Sequence, residues 1–339
     1  MGNRDLFFNC YDYSNKSFYL LTKMFPLVSK LRGVNFRIKM TATIDFLGSE
    51  IVPEYETAKV VILPIPYEAT TSYRKGCENG PNALLEASHQ LECYDEELDR
   101  EICFDAGIFT HAPIADTRHG KTVSDAEMLR VTQETLQSLV EQKKFVISIG
   151  GEHSITEGVV QGYRQVYQES FTVVQIDAHG DLRHEYQDTI HSHACVMRRI
   201  VNMGLPTVQV GIRAICQEEA DLIKEKNLTV FRAREMAFNL DWIEQAIASI
   251  PTEKVFLTID VDGIDPSLIP GVGTPEPGGL NWYSTLRFLR RLFQSKDVIG
   301  CDVMELAPVV GSVVSEFTVA KLTYKLIGYQ TVAKKWIKD

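Results

Sequence analysis

Six short runs of Val, Ile, Leu and Phe recur along this chain, and segments with helical spacing lie between them. The runs are KVVILPIP (59–66), KFVISIG (144–150), FTVVQID (171–177), TVQVGI (207–212), KVFLTIDV (254–261) and DVIGCDVMEL (297–306). Runs that are almost continuously apolar are typical of strands covered on both faces. Their alternation with helices predicts an α/β fold, a three-layer α/β/α arrangement with a mostly parallel central sheet.

Two of the intervening segments show clear helical patterns. The segment SDAEMLRVTQETLQSLVEQ (124–142) begins with Ser124 and Glu127 in the register of a capping box and continues with leucines near one face. The segment NLDWIEQAIASI (239–250) predicts a second amphipathic helix. Its expected buried face consists of Leu240, Ile243, Ile247 and Ile250.

Composition excludes several classes of partner and compartment. The 339 residues carry a formal net charge of −10, which disfavours a nucleic acid or an anionic membrane surface as the main partner. No apolar run reaches the ~18 residues of a membrane-spanning helix. Seven cysteines occur without CxxC pairs, which favours a reducing, cytoplasmic setting over a disulfide scaffold.

The first 39 residues differ in composition from the rest of the chain. They contain seven Lys and Arg against two Asp, a net charge of +5, and they are rich in Phe and Tyr. We therefore divide the chain into an N-terminal extension, 1–39, and a single domain, 40–339, that begins at Met40. A targeting signal, an ordered oligomer contact and a disordered tail all remain open for the extension.

Four of the apolar runs end in side chains that bind metals or cations. They contribute His153 after the second run, Asp177, His179 and Asp181 after the third, Asp260 and Asp262 after the fifth, and Glu305 after the sixth. Alternate residues of an extended strand point in one direction, and the carboxyl ends of parallel strands meet at one edge of a sheet. These side chains are therefore expected to converge.

A convergence of carboxylates and imidazoles predicts a metal centre. One such motif alone fits a solvated turn equally well, but carboxylates crowded at several buried strand ends repel one another unless a cation holds them. Four carboxylates and two imidazoles exceed the needs of one tetrahedral zinc and favour six-coordinate ions such as Mn²⁺. The number suits two ions roughly 3.5–4 Å apart.

These motifs together resemble the ureohydrolase family, the arginases and agmatinases. The resemblance rests on GGEHS (150–154), DAHGD (177–181), TIDVDGIDPSLIPGVGTPEPGG (258–279) and DVMELAP (302–308). The stretch LPIPYEATTSYRKGCENGPNALLEAS (63–88) is similar to agmatinases in particular. The resemblance extends from about residue 45 to the C-terminus, and it implies an arginase-like fold.

The resemblance also implies a role for each residue of the motifs. One Mn²⁺ is expected on His153, Asp177, Asp181 and Asp260, and a second on Asp177, His179, Asp260 and Asp262. Asp181 is expected to carry a proton to the leaving amine, and Glu305 to bind the guanidinium group of the substrate. A rim histidine is expected to contact the substrate and relay protons; His193 is favoured, and His191 is the alternative. Glu152 and Thr258 stand where many relatives have Asp and Ser.

The expected function is therefore a cytoplasmic hydrolase that cleaves a cationic guanidino compound to urea and an amine. Agmatine, giving putrescine in polyamine biosynthesis, is the first expectation; guanidinobutyrate, guanidinopropionate, arginine and guanidine remain alternatives, and Ni²⁺ remains an alternative to Mn²⁺. A homo-oligomer, a trimer or hexamer, is implied by the resemblance. Two other classes stay open, a metal-binding regulatory homologue without activity and a single-zinc deacylase.

Overall fold

The fold is built around parallel strand pairing. The computed structural model describes residues 44–51 and 54–337. The predicted N-terminal extension, 1–39, lies outside the described residues. Ten strands occur in the described ranges: Val60–Ile65 (β1), Tyr94–Asp95 (β2), Arg100–Glu101 (β3), Ile108–Thr110 (β4), Phe145–Gly150 (β5), Thr172–Ile176 (β6), Thr207–Ile212 (β7), Thr229–Arg232 (β8), Lys254–Asp260 (β9) and Asp297–Met304 (β10).

Helices connect the strands. Within the same ranges, the α-helices are Gly80–Ser88 (α1), Ile102–Ala106 (α2), Asp125–Glu141 (α3), Ile155–Val166 (α4), Val196–Asn202 (α5), Gln217–Lys226 (α6), Ala233–Ala237 (α7), Trp242–Ala248 (α8), Trp282–Ser295 (α9) and Val314–Ala333 (α10). The start of α3 is set as the sequence predicts, because the Ser124 hydroxyl accepts a hydrogen bond from the Glu127 backbone N–H.

Eight of the described strands form one sheet in the order β4-β1-β5-β10-β9-β6-β7-β8. Every neighbouring pair in it is parallel. Strands β2 and β3 form a separate antiparallel ribbon. The mostly parallel central sheet predicted from the sequence is therefore confirmed.

Side chains of the sheet alternate between two hydrophobic layers. On β1, Val60 and Ile62 pack in the layer that contains residues of α1, α8, α9 and α10, whereas Val61 and Leu63 pack in the layer that contains residues of α3, α4 and α5. Burial on both faces explains why the strands read as continuous apolar runs. The arrangement is the predicted three-layer α/β/α fold.

The structure departs from the sequence expectation at the edges of the sheet. The edge strands β4 and β8 were not predicted; both are short, and β8 is only partly buried, so neither carries a long apolar run. The helix predicted over 239–250 begins at Trp242. Leu240 precedes it and is 97% exposed, so its assignment to the buried face was wrong.

Among residues 44–51 and 54–337, no helix has the length and apolar character needed to span a membrane.

Gly151 brings three strand ends into close contact. Its backbone N–H donates to Ile65 at the end of β1 (3.0 Å), and its carbonyl accepts from Glu305 after β10 (2.8 Å). A Cβ atom at this position would lie 2.1 Å from the carbonyl oxygen of Tyr67. Only glycine permits this approach without a shift of the backbone.

Replacing Gly151 with Ala is expected to lower the free energy of unfolding by roughly 1–3 kcal/mol, because the added methyl group must displace the Tyr67 backbone. Urea-induced unfolding at matched protein concentration measures the change. Gly273→Ala is the control, since its Cβ would meet one atom at 3.4 Å, the carbonyl oxygen of Arg74. Equal stability of the two variants would contradict the proposed contact.

Candidate active site

Four strands at the centre of the sheet carry the predicted site residues at their carboxyl ends. They are neighbours in the order β5-β10-β9-β6. His153 follows β5 and Glu305 follows β10. Asp260 and Asp262 lie at the end of β9, and Asp177, His179 and Asp181 follow β6. The parallel register places all seven side chains at the same edge of the sheet, as the sequence predicts.

His153 faces three carboxylates. Its Nδ1 atom lies 3.1 Å from Asp177 Oδ2, 3.0 Å from Asp181 Oδ2 and 3.4 Å from Asp260 Oδ2. All four side chains are buried, and Nδ1 makes no hydrogen bond with any of the described residues. Ligand atoms about 2.1 Å from a six-coordinate ion lie about 3 Å from one another. The orphaned nitrogen and its three oxygens therefore fit a divalent cation.

A second group shares Asp177 with the first. His179 Nδ1 lies 2.9 Å from Asp262 Oδ2 and 3.6 Å from Asp177 Oδ1, so the two oxygens of Asp177 face different histidines. Two sets of ligand atoms each lie within 4.8 Å of one another, His153 with Asp177 and Asp181, and Asp177 with His179 and Asp262. A shared carboxylate between two ligand sets is the arrangement of a binuclear centre.

The charges of these groups require a cation or bound protons. Burial and the charge of Asp177 raise the pKa of Asp181 to about 7. Burial, Asp262 and Asp177 raise the pKa of Asp260 well above its usual range. Burial opposes the charged form of His179, but its contacts with Asp177 and Asp262 raise its pKa to about 12. Divalent cations would stabilise the ionised carboxylates in place of these protons.

Buried hydrogen bonds orient the ligand side chains. His153 Nε2 lies 2.8 Å from Thr258 Oγ1, which leaves Nδ1 directed at the carboxylates. Gln175 donates to Asp177 Oδ2 at 2.6 Å, and the Ala178 N–H donates to Asp262 Oδ1 at 3.0 Å. Thr258 therefore contacts the candidate ligand His153 directly.

Glu305 lies beside the candidate ligands at the floor of a cavity of about 370 Å³, a volume that suits a small ligand. One of its oxygens accepts a hydrogen bond from the His153 backbone N–H (2.7 Å). Burial and the charge of Glu152 raise its pKa to about 8. Glu305 has a left-handed backbone, φ 67°, as does Asp181, φ 53°. Strained conformations of this kind concentrate at functional sites.

The two candidate rim histidines occupy different environments. His193 lines the cavity, and burial, followed by the charges of His153 and His179, lowers its pKa to about 4. His191 is not among the lining residues; its Nδ1 lies 2.7 Å from Glu157 on α4. The geometry therefore favours His193 over His191 as the histidine that meets a ligand. His184, on the same segment, is exposed.

Several cavity residues have no signal in the sequence. The cavity is also lined by Arg183, Tyr186, Glu219 and Glu276. Glu276 lies in the loop PGVGTPEPGG (270–279), where backbone segments approach closely: a Cβ on Gly279 would lie 2.5 Å from the Asp265 nitrogen. Glu276 was not predicted from the sequence. Thr70, which contacts both Glu152 and His193, was also missed.

Comparison with known proteins gives consistent matches. A family model described as the arginase family matches residues 58–328. A protein of Synechocystis sp. named N(1)-aminopropylagmatine ureohydrolase is 62% identical over 84% of this chain and 93% of the relative. A protein of the same name from Thermus thermophilus is 36% identical over 84% and 94%. An agmatinase of Pyrococcus horikoshii is 34% identical over 81% and 93%.

Solved structures show the same fold. The agmatine ureohydrolase of Thermoplasma volcanium superposes with a TM-score of 0.75 at 26% identity, covering 87% of this chain and 96% of that protein. The arginase of Bacillus subtilis superposes with a TM-score of 0.66 at 24% identity, covering 80% and 98%. The predicted arginase-like fold is therefore confirmed.

Asp177→Asn is expected to weaken both metal positions by at least about 10- to 100-fold, the loss typical of removing a hydrogen-bonding partner of a ligand, because Asp177 belongs to both ligand sets itself. Asp181→Asn is expected to weaken only the set that contains His153. Elemental analysis after equilibrium dialysis against Mn²⁺ should therefore find about two ions per wild-type chain, about one in Asp181→Asn, and fewer in Asp177→Asn.

Asp188→Asn is the control for this measurement, since Asp188 is exposed and belongs to neither set. Its metal content is expected to match that of the wild-type chain. Equal metal loss in Asp177→Asn and Asp181→Asn would show that Asp177 is not shared between two ions.

Proposed function

We propose that this chain, which belongs to the arginase family, cleaves N(1)-aminopropylagmatine to urea and a linear triamine. Family membership makes the chain an agmatinase-like ureohydrolase, a hydrolase of C–N bonds in linear amidines. The observation that carries the activity is the pair of overlapping ligand sets around Asp177, with Glu305 beside them at the floor of the cavity.

The residues present suit the binuclear metal centre that the family implies. We assign one ion to His153, Asp177, Asp181 and Asp260, and the other to Asp177, His179, Asp260 and Asp262. The predominance of carboxylate ligands favours Mn²⁺, with Ni²⁺ as the alternative. When bound, the two ions activate water for attack at neutral pH.

Glu305 is proposed to hold the guanidinium group. One of its oxygens is occupied by the His153 N–H, and the other has no hydrogen-bond partner among the described residues, so it is available to the substrate. A carboxylate beside a planar guanidinium forms strong, directional hydrogen bonds. Glu305 would thereby orient the guanidinium carbon toward the edge of the sheet that carries the six candidate metal ligands, called the metal edge below.

The proton balance of the reaction supports a role for Asp181 in proton transfer. A guanidinium substrate and water yield urea and an alkylammonium ion, so both protons of the water end on the leaving nitrogen. The departing group must be protonated because an amide anion is too poor a leaving group. We propose that Asp181, at the same edge as Glu305, carries one of these protons, and that His193 exchanges protons between the cavity and bulk water.

The substrate assignment rests on the closeness of the relatives. The Synechocystis protein named for N(1)-aminopropylagmatine shares 62% of its aligned residues with this chain, against 34% for the Pyrococcus agmatinase. N(1)-aminopropylagmatine is agmatine extended by an aminopropyl group, so it carries additional positive charge at the far end. Agmatine itself is the second candidate.

The other classes have less support. A regulatory homologue without activity would be expected to lack a ligand or Glu305, and all seven residues are present at one edge. A single-zinc deacylase would not need two ligand sets that share a carboxylate. A cytoplasmic location and assembly into a trimer or hexamer stay predictions.

Urea release from a panel of guanidino compounds tests the assignment. With Mn²⁺ or Ni²⁺ bound, we expect kcat/KM for N(1)-aminopropylagmatine to exceed that for agmatine by about tenfold, the effect of one additional ion pair. Arginine and guanidinobutyrate belong in the panel because Arg183, stacked on Tyr186 at 5.1 Å, also lines the cavity and could bind a carboxylate tail.

Asp181→Asn is the inactive control and should lose at least about 100-fold in kcat. Preference for agmatine would overturn the substrate assignment and leave the class intact. Absence of urea from every compound with either metal would overturn the hydrolase proposal.

Glu276 is the candidate partner for the distal ammonium of a long substrate. It lines the cavity, and its carboxylate makes no hydrogen bond or ion pair with any described residue. Its backbone is held in place, because the Arg213 Nη2 atom donates both to the Glu276 carbonyl (2.6 Å) and to the Asp262 carbonyl (2.7 Å). The loop that presents this unpaired charge is therefore tied to the metal edge.

Glu276→Gln is expected to raise KM for N(1)-aminopropylagmatine about fivefold, the value of a partly exposed ion pair, and to change KM for agmatine less than twofold. Steady-state kinetics with both substrates measure the difference. Glu185→Gln is the control, since Glu185 is exposed and does not line the cavity. An equal effect on both substrates would show that Glu276 does not distinguish their lengths.

A further inference from the structure

Three side chains form a hydrogen-bonded chain from the metal edge to the cavity wall. The Thr70 hydroxyl donates to Glu152 Oε1 at 2.8 Å. The same hydroxyl oxygen lies 3.0 Å from His193 Nδ1 and 3.1 Å from the His193 backbone nitrogen. Thr70 therefore joins a fully buried carboxylate to the histidine that lines the cavity.

The carboxylate of Glu152 acts only as an acceptor. The backbone N–H groups of Ala69 and Thr70 both donate to Oε2 at 2.6 Å. The hydroxyls of Thr70 and Ser154 both donate to Oε1. Burial raises the pKa of this carboxyl, but two N–H groups and two hydroxyls are placed to donate to it, and four donors match the ionised group, which has no hydrogen to give. The single hydrogen of the Thr70 hydroxyl is therefore committed to Glu152.

Because the Thr70 hydroxyl donates its hydrogen to Glu152, it cannot donate to His193. A hydroxyl has one hydrogen and two lone pairs, so Thr70 can only accept from the two nitrogens of His193 that approach it. One of them is the backbone N–H, and the other is Nδ1, which carries a hydrogen if it donates to Thr70. The Ser192 hydroxyl also approaches Nδ1, at the longer distance of 3.4 Å, and it too can accept from Nδ1. In a neutral imidazole, Nε2 is left without one. Nε2 has no hydrogen-bond partner among the described residues.

We propose that Glu152, acting through Thr70, fixes His193 in the tautomer with hydrogen on Nδ1, so that Nε2 offers a lone pair to the cavity. Glu152 and Thr70 are positioning residues, and His193 is the residue that meets the substrate. The catalytic consequence rests on the function proposed above: a lone pair on Nε2 can accept a hydrogen bond or proton from a guanidino or amino N–H group. The opposite tautomer would present a hydrogen to those donors instead.

Thr70→Val and Thr70→Ser form a matched pair that tests the consequence. Valine retains the shape and removes the acceptor, so kcat is expected to fall at least about tenfold, within the range of lost acid–base catalysis, with KM and metal content changed less than twofold. Serine restores the hydroxyl and should restore kcat. Wild-type kcat in Thr70→Val, or failure of serine to restore it, would overturn the proposal.

A double variant separates an effect through His193 from a general structural effect. If Thr70 acts only through His193, adding Thr70→Val to His193→Ala should cause no further loss of kcat beyond about twofold. If the fold-loss of kcat in the double variant equals the product of the losses in the two single variants, Thr70 acts independently of His193, and the proposal would fail.

Nitrogen chemical shifts read the tautomer without any activity. The full chain labelled with ¹⁵N-histidine and loaded with diamagnetic Mg²⁺ should show a protonated Nδ1 and an unprotonated Nε2 for His193, with His193→Gln assigning the signals. Thr70→Val should shift this population toward the other tautomer. If no guanidino compound yields urea, the proposed function fails, but the spectrum still decides the tautomer; a protonated Nε2 in the wild-type chain overturns the inference.

Discussion

Repulsion among carboxylates at one edge of the sheet is the constraint on which the rest of the structure depends. Asp177, Asp181, Asp260 and Asp262 are buried together around two histidines. Their mutual charge and their burial would be costly without protons or cations, because desolvation disfavours every ionised carboxylate. Bound divalent cations would offset this cost, so the stability of this edge of the sheet would depend on metal binding.

The parallel sheet holds the candidate ligands together at one edge. The candidate ligands follow β5, β6 and β9, and Glu305 follows β10, all at the centre of the sheet, where hydrophobic layers cover both faces. Gly151 allows the ends of β1, β5 and β10 to lie in contact. Asp181 and Glu305 both have a left-handed backbone at this edge, a conformation that persists only where the surrounding structure holds it.

Residues outside the ligand set connect the metal edge to the cavity. Thr258 contacts His153, and Glu152 contacts Thr70, which in turn contacts His193. Arg213 joins the loop that carries Glu276 to the backbone of Asp262. The edge that carries the candidate ligands therefore also positions the groups proposed to meet the guanidinium and the distal end of a substrate.

The amino-acid sequence by itself determined the layers of the fold and the six candidate ligands. Buried parallel strands are continuous apolar runs, and ligands two residues apart on a strand end are a local pattern, so neither requires knowledge of distant contacts. The edge strands β4 and β8 were not predicted because short or partly exposed strands lack a long apolar run. Leu240 was misplaced because helical periodicity does not mark the residue where a helix begins.

Only the tertiary structure decided which residues complete the site. Thr70 and His193 are in contact although 123 positions separate them in the chain. His191 and His193 stand two positions apart in sequence, yet one pairs with Glu157 and the other lines the cavity. Glu276 lies in a loop whose glycines and prolines indicate only a turn. Hydrogen bonds and cavity walls form between distant segments, so their partners become defined only when the chain has folded.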